Sequence, residues 1–145
     1  MVDRSEEALE LAQQLGAHHT VRAGDDDAVA SQVLDITGGG AQIVFDFVGE
    51  QGVELLAPRL LRNRGSHYVV GYGGESRLPT IEIISREINV IGNLVGTYND
   101  LVELMTLTAQ GRVKLHTSIY PLDAALDAFH DLDAGRLVGR GILVP

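Results

Sequence analysis

The chain has 145 residues and no cysteine, which excludes disulfides and every cysteine-ligated zinc site within it. Its formal net charge of −9 leaves no basic field for displacing counterions from nucleic acid or for holding an anionic membrane surface. A 45% hydrophobic fraction and 17 glycines suit a compact α/β domain better than a disordered tail.

The opening reads as the end of a strand, an acid and then a helix. Ser5 is placed as the N-cap, Glu6 and Glu7 sit where the helix dipole favours acid, and Gly16 is the stop. Ala8, Leu11, Ala12 and Leu15 form one apolar stripe. There is no basic region followed by an apolar one at this end, and no apolar run anywhere of membrane-spanning length, so a cytoplasmic protein without membrane contact is expected. A short β-type stretch over 19–23 precedes a second helix, opened by Asp25 and Asp26 and ended by Gly38-Gly39-Gly40. Val29, Val33 and Ile36 share one of its faces, and the Asp25-Asp26-Asp27 run reads as a solvated helix start rather than a metal site.

The run Ile43 to Val48 is apolar without helical length or alternation, which predicts a strand buried on both faces. A helix over 51–61 leads to Gly65 and a strand over 67–71; a glycine-rich loop follows over 72–79. An apolar stretch over 80–85, of less definite type, precedes a strand over 88–95. Asn99 or Asp100 is expected to cap a helix carrying Leu101, Leu104, Met105 and Leu107, stopped by Gly111. Pro121, a helix with Leu122, Ala125, Leu126 and Phe129, Gly135, and a strand over 141–144 close the chain. Strands alternating with helices predict right-handed crossovers and a doubly wound parallel sheet up to Gly111.

Ligands of such sheets bind at the C-terminal strand ends near the switch point. The expected tips are Asp3, Phe47-Val48-Gly49, Val70-Gly71-Tyr72 and Asn93 to Gly96, where glycine beside apolar residues suits a flat ligand. No Gly-x-Gly-x-x-Gly occurs: Gly71-Tyr72-Gly73-Gly74 meets Ser76 at the last position, and Gly38 to Gly40 precedes a strand instead of a helix. In a dinucleotide fold an acid ends the second strand and bonds the ribose. If Asp3 is that acid, the first strand and the glycine turn lie upstream of Met1, and this chain is expected to be part of a longer protein. Such a part would leave unpaired strand edges between the Asp3 side and the Phe47 side of the sheet. A second reading makes Asp3 a cap for the first helix.

Three bland readings stand beside these. The five histidines are scattered, and His18 and His19, adjacent on a strand, would point to opposite faces, so no metal site is expected. Asp46 could be read as a phospho-acceptor, but no acidic pair or strand-tip lysine accompanies it, and it is expected to bond loop backbone. Arg140 could be a surface residue ending a polar turn.

Several segments carry a family resemblance in order and spacing: Val2 to Ala12 with Leu15-Gly16-Ala17, Gly38 to Gly49, Gly65 to Gly71, and Gly135 to Pro145. The chain resembles the C-terminal, cofactor-binding part of medium-chain zinc-type alcohol dehydrogenases, most closely the bacterial NAD-dependent type. The resemblance implies an incomplete Rossmann domain over 1–111 and a C-terminal segment over 112–145 returning to a catalytic domain outside this chain. It implies that Asp3 binds the adenosine ribose and disfavours the NADP phosphate, and that Phe47 and Val48 pack beside the nicotinamide ribose. Val70, Gly71 and Tyr72 would meet the carboxamide, as would two of Asn93, Leu94 and Val95 through their backbone, and Arg140 would reach the pyrophosphate.

The implied activity is hydride transfer between NAD and an alcohol or its carbonyl, with zinc ligands and proton relay outside this chain, and with no catalytic or metal residue within it. A homodimer or homotetramer formed through the strand over 88–95 is also implied. The alternatives are a zinc-free quinone or enoyl reductase of the same superfamily and a non-catalytic nucleotide-binding or assembly module.

Overall fold

A computed structural model describes residues 1–145. The chain forms two compact units, Met1–Val95 and Gly96–Pro145. That division is one of compactness and not of role, so it does not decide the 111/112 boundary that the resemblance implies.

The first unit runs β1 (Val2–Asp3), α1 (Glu6–Gln14), β2 (Val21–Arg22), α2 (Asp26–Thr37), β3 (Ala41–Asp46), α3 (Val53–Leu56), β4 (Leu61–Val69), α4 (Thr80–Arg86) and β5 (Asn89–Gly92). Local chemistry sets the early boundaries as expected. The Ser5 Oγ accepts from the Ala8 N–H and Asp25 does the same for Ala28, while Gly38 closes α2 in the left-handed region. All pairings are parallel, so the class is α/β with an incomplete Rossmann sheet. The sheet is interrupted: β1 pairs only with β2, and β3-β4-β5 form a separate ladder. One core nevertheless joins the two parts, with Val21, Val29, Ala30, Leu56 and Leu60 buried together and Val2 and Val44 packed against them.

Several sequence expectations need correction. β3 is not buried on both faces. Val44 faces the core, whereas Ile43 and Phe45, which alternate to the other face, are 51% and 57% exposed. The helix expected over 51–61 is one short turn, α3, continued by a 3₁₀ turn at Ala57–Leu60; Pro58 has no N–H for a longer α-helix. β4 starts at Leu61, earlier than expected, because a register shift opposite Ala41–Ile43 and a left-handed Arg64 absorb a polar, glycine-containing stretch that does not read as strand. The 80–85 stretch is helical, and β5 is confined to Asn89–Gly92.

The second unit contains α5 (Tyr98–Ala109), β6 (Thr117–Pro121), α6 (Ala125–Asp133) and β7 (Arg140–Val144), with β6 and β7 paired in parallel. β6 has no counterpart in the sequence reading. The cap of α5 is Thr97 rather than Asn99 or Asp100: the Thr97 Oγ1 accepts from the Asp100 N–H, and the Asp100 carboxylate accepts from the Thr97 N–H at 2.6 Å. This is a reciprocal capping box, which the aspartate three residues on could have signalled. Between β6 and α6, the Tyr120 hydroxyl donates to Asp131 Oδ2 at 3.0 Å, and Arg136 donates twice to Oδ1. The Arg136 bonds hold the Asp131 carboxyl below its ordinary range, and desolvation followed by the Asp131 bond pushes the Tyr120 phenol up. No helix is long and apolar enough to cross a membrane.

Candidate ligand site at the strand tips

The ladder register sets Asp46, Val69 and Gly92 side by side. Three of the expected segments, 47–49, 70–72 and 93–95, therefore leave one edge of the sheet together. They are tied there by backbone bonds: the Asp46 carbonyl accepts from Val70 and Gly71 at 2.8 and 2.9 Å, and the Val69 carbonyl accepts from Asn93 at 2.9 Å. Side-chain chemistry holds the first tip. As expected from the sequence, Asp46 bonds loop backbone, its Oδ1 accepting from the Val48 and Gly49 N–H groups at 2.9 and 2.8 Å. Gly49 and Gly71 approach so closely that neither has room for a Cβ.

The side chains at these tips are apolar and open. Phe47, Tyr72, Leu94 and Val95 are all exposed, and Phe47 stacks on Phe45 at 6.1 Å. Val95 carries a further mark: a β-branched residue with φ of +43° is a backbone outlier, the kind of strain that persists where a site needs it. Exposed planar and aliphatic groups, beside N–H and C=O groups at strand ends, offer a surface for a flat ring with an amide.

Asp3 ends β1, in the other part of the sheet. Its Oδ1 accepts from the Ser5 N–H at 2.8 Å, so it turns the chain into α1, while the cap itself is Ser5. The next residue, Arg4, donates to Gln51 Oε1 at 3.2 Å, which ties the β1 end to the loop after β3. Asp3 thus lies at the same end of the unit as the Phe47 tip. Arg140 belongs to the second unit; it is exposed at the start of β7, and its N–H donates to the His116 carbonyl.

Two buried groups were missed as site elements by sequence reasoning. His67 on β4 is 0% exposed and Asp46 is 2% exposed, with Nε2 and Oδ2 3.6 Å apart. A histidine in an apolar strand three residues before a tip was the available signal. For metals the residues do not fit: no three or more His, Asp or Glu side chains converge, and there is no cysteine.

Comparison with known proteins bears on this geometry. The family model for zinc-binding dehydrogenases matches residues 1–110. An NAD-dependent alcohol dehydrogenase of Sulfurisphaera tokodaii is 35% identical over 99% of this chain, and an alcohol dehydrogenase of Geobacillus stearothermophilus is 34% identical over 98%. The crystal structure of the alcohol dehydrogenase from Aeropyrum pernix superposes with a TM-score of 0.93 at 43% identity, covering 99% of this chain and 42% of that one. The chain likewise spans 42% of the length of each of the two curated relatives.

Proposed function

This chain belongs to the zinc-binding dehydrogenase family, and on that premise we propose that it is the cofactor-binding portion of an oxidoreductase passing hydride between NAD and an alcohol/carbonyl pair. The observation that carries this reading is the shared edge formed by the tips after Asp46, Val69 and Gly92, with Gly49 set against Gly71. A planar ring carrying an amide can lie there against backbone.

When bound, the nicotinamide supplies the hydride chemistry. The chain's own residues bind and orient. In this reading Phe47 and Val48 pack beside the nicotinamide ribose, and backbone groups of Val70, Gly71, Tyr72, Asn93, Leu94 and Val95 address the carboxamide. Asp3 accepts from the adenosine ribose hydroxyls and repels a 2′-phosphate, which favours NAD over NADP. Arg140 offers its guanidinium fork to the pyrophosphate. Residues 1–111 form the cofactor part and 112–145 a segment that returns to a catalytic domain. No step is assigned to zinc, because no ligand set for it exists in this chain.

β5 is the last strand of its ladder, so its outer edge carries unpaired backbone groups. A second copy pairing along that edge is the proposed homo-oligomer.

Titration of the chain with NADH, followed by nicotinamide fluorescence and repeated with NADPH, tests the reading, and light scattering of the same sample gives its oligomeric state. Saturable binding that favours NADH is expected. A well-behaved oligomer with no affinity for either nucleotide would replace the reading with an assembly module.

A further inference from the structure

Three buried side-chain atoms have no hydrogen-bond partner: Asp46 Oδ2 and both nitrogens of His67. Unmet polar atoms in a protein interior are costly and uncommon. Two of the three face each other, Nε2 and Oδ2 standing 3.6 Å apart in an ion-pair geometry with both side chains fully buried. At that separation the contact is too long to be a hydrogen bond, and closing it takes only a few tenths of an ångström.

The arrangement of strands explains why the two groups meet. His67 sits opposite Val44 on β3, and Asp46 is two residues further along the same strand, so both side chains lie on one face. Asp46 is also the junction of the tips. Its carbonyl takes the Val70 and Gly71 N–H groups, and its Oδ1 takes those of Val48 and Gly49. The two bonds at Oδ1 set the carboxylate's rotation but leave Oδ2 without a donor. A donor at Oδ2 would hold the carboxylate from its second oxygen as well.

We propose that His67 is a positioning residue, whose Nε2–H donates to Asp46 Oδ2 and so locks the carboxylate that shapes the 47–49 tip. The tautomer follows from the same bookkeeping. With Nε2 protonated, the atom left unmet is the Nδ1 lone pair, whereas the opposite tautomer leaves an N–H unmet and sets two acceptors face to face. The lock sits beneath the proposed nicotinamide cradle, so its effect on cofactor affinity rests on the NAD reading above; its effect on the tip does not.

Long-range ¹H–¹⁵N correlation spectra of the full chain without nucleotide test the local claim and need no variant. Protonation of His67 at Nε2 with a bare Nδ1 is expected, and the neutral Nδ1–H tautomer would overturn the proposal. In His67→Phe the Val48 and Gly49 amide resonances should move, and in His67→Gln, which restores a donor, they should return toward their native positions. Amides indifferent to both variants would also overturn it. NADH affinity should fall about tenfold in His67→Phe and recover in His67→Gln, the scale of one buried bond lost. A native chain that binds no NADH would overturn the cofactor reading and leave the tautomer and amide results to decide the lock. A native chain that binds NADH, with equal affinity in His67→Phe, would overturn the positioning role alone.

Discussion

Gly71 fills the side-chain space of Gly49: a Cβ on Gly49 would run into the Gly71 carbonyl group, and one on Gly71 would run into that of Val48. The contact joins two strand tips through backbone alone. Gly49 also has φ of +65°, a region that costs other residues. Gly49→Ala should therefore destabilise the chain by about 2–5 kcal/mol, combining strain with overpacking. Gly52→Ala is the control, with φ of +92° but open space around it, and should cost roughly 1–2 kcal/mol. Urea denaturation of both measures the difference, and equal losses would show that the close approach carries no weight.

Phe45 should behave as a surface residue despite its place in an apolar strand. It is 57% exposed and touches Phe47 and Tyr68. Phe45→Thr, which keeps strand propensity, is expected to cost at most about 1 kcal/mol. It should also reduce binding of a hydrophobic dye. Leu61→Ala, at a site 2% exposed on the neighbouring strand, should cost about 2–5 kcal/mol. A Phe45 loss as large as the Leu61 loss would mean that this face is covered in solution.

What the sequence made legible follows from how local each signal was. Ser5, Asp25, Gly38 and Gly111 mark their helix ends within a few residues, and those ends stand where expected. The site tips were legible because an apolar run followed by glycine marks a strand end whatever surrounds it. The exposed face of β3 was not, because Ile43 and Phe45 carry the composition of a buried strand and only packing tells which face is covered. β6 was missed although Thr117, Ile119 and Tyr120 are strand formers; flanked by charged loop and a proline, so short a run gave no period to count. The Asp46–His67 contact depends on β3–β4 register, which no single-strand pattern encodes.

Asp3 carries the proposed choice between the two nicotinamide nucleotides. Asp3→Ser retains a hydroxyl acceptor for the Ser5 N–H that Asp3 now holds, so the entry into α1 should survive. Removing the charge should weaken NADH binding and strengthen NADPH binding, relaxing the affinity ratio by about tenfold or more. Parallel titrations of the variant and the native chain measure it. An unchanged ratio would return Asp3 to a purely structural turn residue.

The α5 capping box should fail in acid. The Thr97 backbone N–H, followed by its hydroxyl, lowers the Asp100 carboxyl below its ordinary value. A depressed folded-state pKa adds stability that is full above the unfolded value and is lost as pH falls through the folded one. Protection of the first-turn amides of α5, with the intrinsic pH dependence of exchange divided out, should therefore fall selectively below the ordinary aspartate range of about pH 4. Asp100→Asn should show the faster exchange at neutral pH and lose most of its acid dependence. Protection in that turn that stays flat in the native chain from neutral to strongly acidic pH would refute the coupling.

Tyr120 should titrate at the opposite end of the scale and report on Asp131. Desolvation and then the bond to Asp131 raise its phenol above the ordinary value, with Arg136 opposing weakly. A raised folded-state pKa adds stability that is present below the unfolded value, about pH 10, and is lost as pH rises through the folded one. The contact between β6 and α6 should thus loosen only in strong alkali, and tyrosinate absorbance of the native chain should include one component above the usual phenol range. Asp131→Asn removes the negative charge while leaving an acceptor for the hydroxyl, so that component should move down toward the usual range. Were it to stay in place, the Asp131 charge would contribute nothing to the shift, and burial with the hydrogen bond would account for it.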